Sequence, residues 1–290
     1  MEHLLDSKVK ELEVKANEIR QTIVEALVEA GSGHTAGPLG MTDIFTTLYF
    51  HVLKHDPKNP SWPDRDRLVL SNGHICPVLY ATMAHAGYFP VDEFKKTLRK
   101  FNSKFQGHPH REFLPFVETS SGPLGSGLSQ AVGMALAERM DKGKSTNKFF
   151  YCLTGDGELD CGQIWEAAML AGKEQLGNLI VIVDRNNIQI DGYTEDVMPL
   201  EPLAKKWESF NFHVQEVDGH NFYSIDEAIG KAQAVFDQPS VILAMTIPGK
   251  GVSVFERKYE WHGKPPNKSE GLMALNELRT LGGKIISEHQ

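Results

Sequence analysis

With 290 residues, 41% hydrophobic and 23% charged, the chain has the composition of a soluble globular protein long enough to bury a sizeable core. A net charge of −8 works against partnership with nucleic acid or with a membrane surface, since both reward a basic excess. The charged N-terminus, the lack of any apolar run near the roughly 20 residues that span a bilayer, and three cysteines (Cys76, Cys152, Cys161) without CxxC spacing exclude further classes. A secretory leader, a membrane span, a disulfide framework and a zinc site are not expected, and the cytoplasm is the default location.

The first element is a helix: Leu5, Val9, Leu12, Ala16, Ile19, Ile23 and Leu27 recur every three or four residues, and Gly31-Ser32-Gly33 ends it. Helices are also expected over 43–53 and after His74. From residue 127 onward helix and strand alternate. Residues 127–141 read as helix, 149–153 as strand, 163–175 as helix and 179–183 as a β-branched strand buried on both faces. A strand over 213–217, a helix over 225–236, a strand over 241–245 and a helix over 270–281 complete the pattern. Such alternation predicts an α/β fold: a mostly parallel sheet covered by helices on both faces, with an N-terminal helical layer. No linker or repeat interrupts it, so residues 1–290 are read as a single domain. Ligands of such sheets bind beyond the carboxyl ends of the strands, which directs attention to the loops after Leu153, Val183 and Met245.

The first of these loops is Gly155-Asp156-Gly157, leading toward a helix that starts near residue 162. Two glycines permit a sharp turn and close approach of a ligand to the backbone, and an aspartate there can hold a hard cation beside a phosphate. By itself the tripeptide fits a strand-ending turn with a capping Asp at least as well. The second loop, Asp184-Arg185-Asn186-Asn187-Ile188, offers the Asn186 amide oxygen and the Ile188 carbonyl as neutral ligands. The 28 residues between Gly157 and Asn186 suffice for one helix and one strand, so adjacent parallel strands deliver both loops to one edge. That oxygen-rich set suits Mg²⁺. Twelve histidines are present, and four of those that stand beside glycine draw attention in short loops: His34, His74, His108 and His262. Imidazole exchanges protons near neutral pH, and the adjacent glycines leave room for a ligand.

At these loops the chain resembles the thiamine-diphosphate enzymes, whose motif is GDG followed some 25–30 residues later by Asn. More specifically it resembles transketolase through SGH (32–34), DRDRLVLSNGH (64–74), GHP (107–109), SGPLGSGLSQAVGMA (121–135), GDGELDCGQIWEA (155–167), LIVIVDRNNIQIDG (179–192), VDGHN (217–221) and WHGKPP (261–266). The resemblance implies thiamine diphosphate and Mg²⁺ as cofactors, with Ca²⁺ or Mn²⁺ as substitutes. It implies Asp156, Asn186 and the Ile188 carbonyl as metal ligands. It places Gly157 against the diphosphate and Gly122, Pro123 and Leu124 against the cofactor through their backbone. His34, His74, His108 and His262 would line the cavity above the thiazolium, with His74 and His262 also touching cofactor. Proton transfer would fall to His34, His262 and His108.

The implied reaction moves a two-carbon ketol unit from a ketose phosphate to an aldose. A full-length transketolase continues into a pyrimidine-binding and a third domain, whereas this sequence stops at Gln290. The expectation is therefore a subunit that acts only with a C-terminal transketolase subunit, in an α2β2 assembly. Cys161 stands where the family usually has a glutamate linking paired active sites, although Glu166 matches its neighbour. Met245 replaces a frequent basic residue, shifting the diphosphate grip toward the metal, the helix start and Lys264. Rival readings are another thiamine-diphosphate subunit, such as a 2-oxo acid dehydrogenase alpha chain or a deoxyxylulose-phosphate-synthase-like fragment, and a non-catalytic cofactor-binding homologue.

Overall fold

The computed structural model describes residues 4–144 and 146–280. Leu281, the expected end of the last helix, lies outside them, as do both extremes of the expected 1–290 domain. Helix α1 (Asp6–Ala30) is rich in Leu, Ala, Glu and Lys, all good helix formers. Gly31 ends it in the left-handed conformation at φ 60°, its N–H bonding the Leu27 carbonyl. Val9, Leu12, Ala16, Ile19, Ile23 and Leu27 are buried, as their spacing predicts. Leu5 is not: it precedes the first helical turn in extended backbone and is 68% exposed.

Short helices α2 (Ala36–Gly40) and α3 (Thr42–Thr47) follow. The helix expected over 43–53 changes register after α3, where Leu48–Val52 form a wider π-helical turn closed by the Leu53 N–H on the Leu48 carbonyl, 2.8 Å. Strand β1 (Arg67–Leu70) leads to α4 (Cys76–His85), α5 (Val91–Thr97) and α6 (Ser126–Lys142). Strand β2 (Phe150–Gly155), α7 (Gly162–Lys173) and β3 (Leu179–Arg185) come next. A two-residue ladder of β4 (Ile188–Gln189) and β5 (Gly192–Tyr193) precedes α8 (Thr194–Val197) and α9 (Leu203–Ser209). The described chain closes with β6 (His213–Asp218), α10 (Phe222–Ala234), β7 (Ser240–Met245) and α11 (Lys268–Thr280).

Five strands form one parallel sheet in the order β1-β2-β3-β7-β6. Period-two alternation divides the central strands between two cores. Leu153, Ile180, Ile182 and Ile242 face the core that also holds α1, α3 and α4, while Cys152, Val181, Val183 and Val241 face the core of α6 and α7. Both faces are thus covered, which is why β3 reads as an unbroken apolar run. The register sets Gly155, Asp184 and Ala244 side by side at the carboxyl edge. That edge carries the site.

Candidate active site

Three loops meet at the edge and are tied together by one buried carboxylate. Glu158, 2% exposed, accepts hydrogen bonds from the Ser71 hydroxyl after β1, from the Gly125 N–H ahead of α6 (2.7 Å) and from the Gly155 N–H at the end of β2 (3.0 Å). Ser71 Oγ in turn accepts from Gly127 N, 3.1 Å. Gly125 adopts φ 87°, a left-handed turn into α6 that disfavours any side chain.

The expected loops do converge. Asp156 at the end of β2 and Asn186 after β3 line one cavity of about 240 Å³ together with Ile188, Gly157, Gly122, Leu124, His34, His74, His108 and His262. Three of the imidazoles cluster: the ring centroids of His34 and His74 are 5.0 Å apart, His74 and His262 5.0 Å, and His34 and His262 5.6 Å. His108 packs beside Gly122, whose φ of 138° and lack of a side chain leave room for the ring. Pro123 and Lys264 are not among the lining residues. The Pro123 carbonyl accepts from Ser126 at the start of α6, and Lys264 pairs with Glu270 at 2.9 Å while covering the Trp261 ring at 3.9 Å. Several lining residues had no role assigned from sequence: Asn72, Glu158, Asp184, Gln189 and Ile190. Asp184 carried a sequence signal, since it directly precedes the Asn186 loop.

Burial governs the electrostatics. It pushes the His34 pKa down to about 4, with His262 and Arg99 adding repulsion. Burial lowers His74, His108 and His262 as well, so all four imidazoles are neutral at neutral pH and able to accept a proton. The carboxylates move the other way. Burial raises Asp156 to about 6 against the pull of Arg185, 3.2 Å away, and raises Asp184 to about 7 with Asp156 nearby. Two desolvated carboxyls side by side favour a bound cation.

Among the described residues no group of three or more His, Cys, Asp or Glu side chains is arranged to hold a metal. A hard cation drawing on Asp156, the Asn186 amide oxygen, the Ile188 carbonyl and ligand oxygens remains compatible with the loop. Asn186 is turned by its amide, which donates to Asp184 at 2.7 Å, while its Oδ1 accepts from Ile188 N at 3.0 Å. Buried polar atoms without a protein partner also line this cavity: both side-chain atoms of Asn72, and Nδ1 of His34 and of His262. Such unpaired donors and acceptors suit a polar ligand bound together with a metal.

Residues 12–280 match the family described as transketolase, thiamine diphosphate binding domain. The chain belongs to that family. It is 44% identical over 272 residues to the 6-deoxy-6-sulfo-D-fructose transketolase subunit SqwG of a Clostridium species, covering 94% of this chain and 98% of that one. It is 42% identical over 271 residues to one subunit of the apulose-4-phosphate transketolase of Actinobacillus succinogenes, covering 93% and 96%. Single-chain transketolases are longer. Transketolase 2 of Escherichia coli is 42% identical, but the match spans 40% of it. The solved transketolase of Campylobacter jejuni superposes with a TM-score of 0.86 at 36% identity, over 92% of this chain and 42% of that one. As a thiamine diphosphate-binding domain of the transketolase family, the chain has a cavity whose donors fit that cofactor and its usual metal, Mg²⁺. No helix among the described residues is long and apolar enough to cross a membrane.

Proposed function

We propose that the chain is the cofactor-binding subunit of a two-chain transketolase that moves a two-carbon ketol unit from a ketose to an aldose. The observation that carries this reading is the convergence of His34, His74, His108 and His262 on the same cavity as the Asp156 and Asn186 loops. In this reading Asp156, the Asn186 oxygen and the Ile188 carbonyl hold Mg²⁺. Gly157, Gly122 and Leu124 give the diphosphate and the thiazolium close access to backbone. Bound thiamine diphosphate supplies a nucleophilic thiazolium carbon that can accept a ketose carbonyl and store the electron pair released when the adjacent carbon–carbon bond breaks.

The chain's own residues manage protons and position. His34 and His262, neutral and desolvated, take protons from sugar hydroxyls and return them. His108 lies on the Gly122 side of the cavity, placed to hydrogen-bond a sugar hydroxyl, and His74 contributes a polar wall. Lys264 keeps only a peripheral part, since its charge is already paired with Glu270.

The partner in this proposal is a C-terminal transketolase subunit that brings the pyrimidine-binding domain, in an α2β2 assembly with each active centre between chains. Relatives matched over nearly their whole length carry subunit names, which supports it. Their named substrates, a sulfo-sugar and a sugar phosphate, point to a ketose with an anionic end. A cytoplasmic setting accords with this substrate class and with three free cysteines.

The test is ketol transfer from ketose phosphates to aldose acceptors, with thiamine diphosphate and Mg²⁺, by the chain alone and after adding its candidate partner. Turnover only in the mixture is expected. Full turnover by partner-free chain would overturn the two-chain reading. Activity of the mixture on a 2-oxo acid instead of a ketose would transfer the chain to the dehydrogenase class.

A further inference from the structure

Asn72 lies in the turn after β1, between Ser71, which binds Glu158, and Gly73, whose missing side chain admits Ser121. Its side chain is fully buried, yet neither Oδ1 nor Nδ2 has a hydrogen-bond partner within the protein. Buried carboxamides nearly always find partners, because leaving donor and acceptor dry is costly. Asn72 lines the cavity, and a Cβ placed on Gly155 would lie 3.8 Å from both its Cβ and its Nδ2, which sets the carboxamide over the first glycine of the Gly155-Asp156-Gly157 turn.

The surroundings hold it there. The Asn72 carbonyl accepts from Ile75 N at 3.0 Å, and Gly73 N bonds the Ser71 carbonyl at 2.8 Å. The backbone of the turn is therefore set before any ligand arrives.

We infer that Asn72 is a further cofactor-contact residue, whose side-chain N–H donates to an oxygen of the bound diphosphate. The inference rests on the cofactor assignment above and extends it to a residue outside the metal and histidine sets. Nδ2 is the atom that faces an anion usefully, since Oδ1 and a phosphate oxygen repel. Asn72 thereby extends the grip to the β1 side of the Asp156 loop.

Titration calorimetry of the full chain with thiamine diphosphate at saturating Mg²⁺ tests this, on the wild type, Asn72→Leu and Asn72→Asp, with melting curves with and without ligand. A hydrogen bond to a charged group carries enough energy for a loss of about ten- to a hundredfold in affinity in Asn72→Leu. Asn72→Asp, which keeps the shape, removes the donor and adds a like charge, loses more. The ligand-free melting temperature of Asn72→Leu stays level or rises, because an unpaired buried amide is removed, while its ligand-induced upshift shrinks. Unchanged affinity in both variants, or a fall in ligand-free stability with affinity intact, overturns the inference and makes Asn72 structural. Absence of binding by the wild type, alone and with partner, would instead overturn the cofactor reading on which it rests.

Discussion

At the scale of single residues, the site separates groups that burial makes neutral from groups that need a cation. His34 has a folded pKa of about 4 against an ordinary 6.5, so the folded state binds fewer protons than the unfolded state between those values. The stability associated with its neutral form is complete above about pH 6.5 and is lost as pH falls toward about 4. Melting temperatures followed from about pH 7 to about pH 4.5 should therefore fall less steeply in His34→Asn than in the wild type. An identical slope would remove His34 from the set of desolvated bases. Asp156 poses the opposite question. Its carboxylate accepts from Gly157 N at 2.8 Å and Asn187 N at 2.6 Å and faces Arg185, so its geometry is fixed in advance of a metal. Asp156→Ala should weaken Mg²⁺-dependent binding of thiamine diphosphate by roughly 100-fold or more, measured by calorimetry. Unchanged affinity would exclude it as a ligand.

At the scale of elements, short contacts between backbones decide where helices can lie. Gly172, near the end of α7, sits against the Phe210 carbonyl at the end of α9, so any side chain there meets backbone. Gly172→Ala would gain about 1 kcal/mol in helix propensity. The displacement it forces costs about 1–3 kcal/mol, and backbone yields less easily than a side chain. A lower melting temperature with unchanged cofactor affinity is expected, because the clash lies at the end of α7 far from the Gly155-Asp156-Gly157 turn. A second device ties α1, α3 and the turn after β6 together. Arg20 holds Asp43 in a two-pronged ion pair at 2.7 and 2.9 Å, and His220 Nδ1 donates to Asp43 at 2.8 Å. Its Nε2 accepts from Ile247 N at 2.7 Å, which fixes the tautomer and pins the loop beyond β7 to α3. Burial opposes the charge on Asp43, but Arg20 and His220 outweigh it and hold the pKa at about 2.

These elements also show what a sequence reader can reach. The strands β2, β3 and β7 were legible because continuous apolar runs between polar loops leave little choice, and their parallel pairing brought Asp156 and Asn186 to one edge. Strand β1 was hidden: Leu68-Val69-Leu70 is too short to show a period. The π-helical turn after α3 has no periodic signature distinct from helix. Asn72 and Glu158 were illegible as site residues for another reason. Their importance arises from which loops stand next to them, a property of packing, and neither departs from ordinary turn composition. Lys264 illustrates the converse, since motif position suggested the diphosphate while local charge drew it to Glu270.

At the scale of the whole molecule, the carboxyl edge of the sheet is also where the surface turns apolar. Leu124, Ile190, Val197, Met198 and Met245 are each 42% exposed or more; Met245 ends β7, Val197 ends α8, and the others lie in loops. Exposed Leu, Ile and Met gathered near a polar cavity are expected of a face that another chain covers. Met198→Lys, outside the cavity lining, should weaken association with the partner chain on the order of tenfold while leaving the melting temperature of this one unchanged. Sedimentation of the mixed chains measures this, and unaltered association would direct the interface elsewhere.

The three clustered imidazoles of His34, His74 and His262 carry one more implication. They come from the loop after α1, the turn after β1 and the loop before α11, so no local stretch of chain can assemble them. Their mutual contact exists only once the longest loops have closed, the step that contact order places late in folding. The ring-current shifts of these histidines are thus a spectroscopic clock for the final stage of folding.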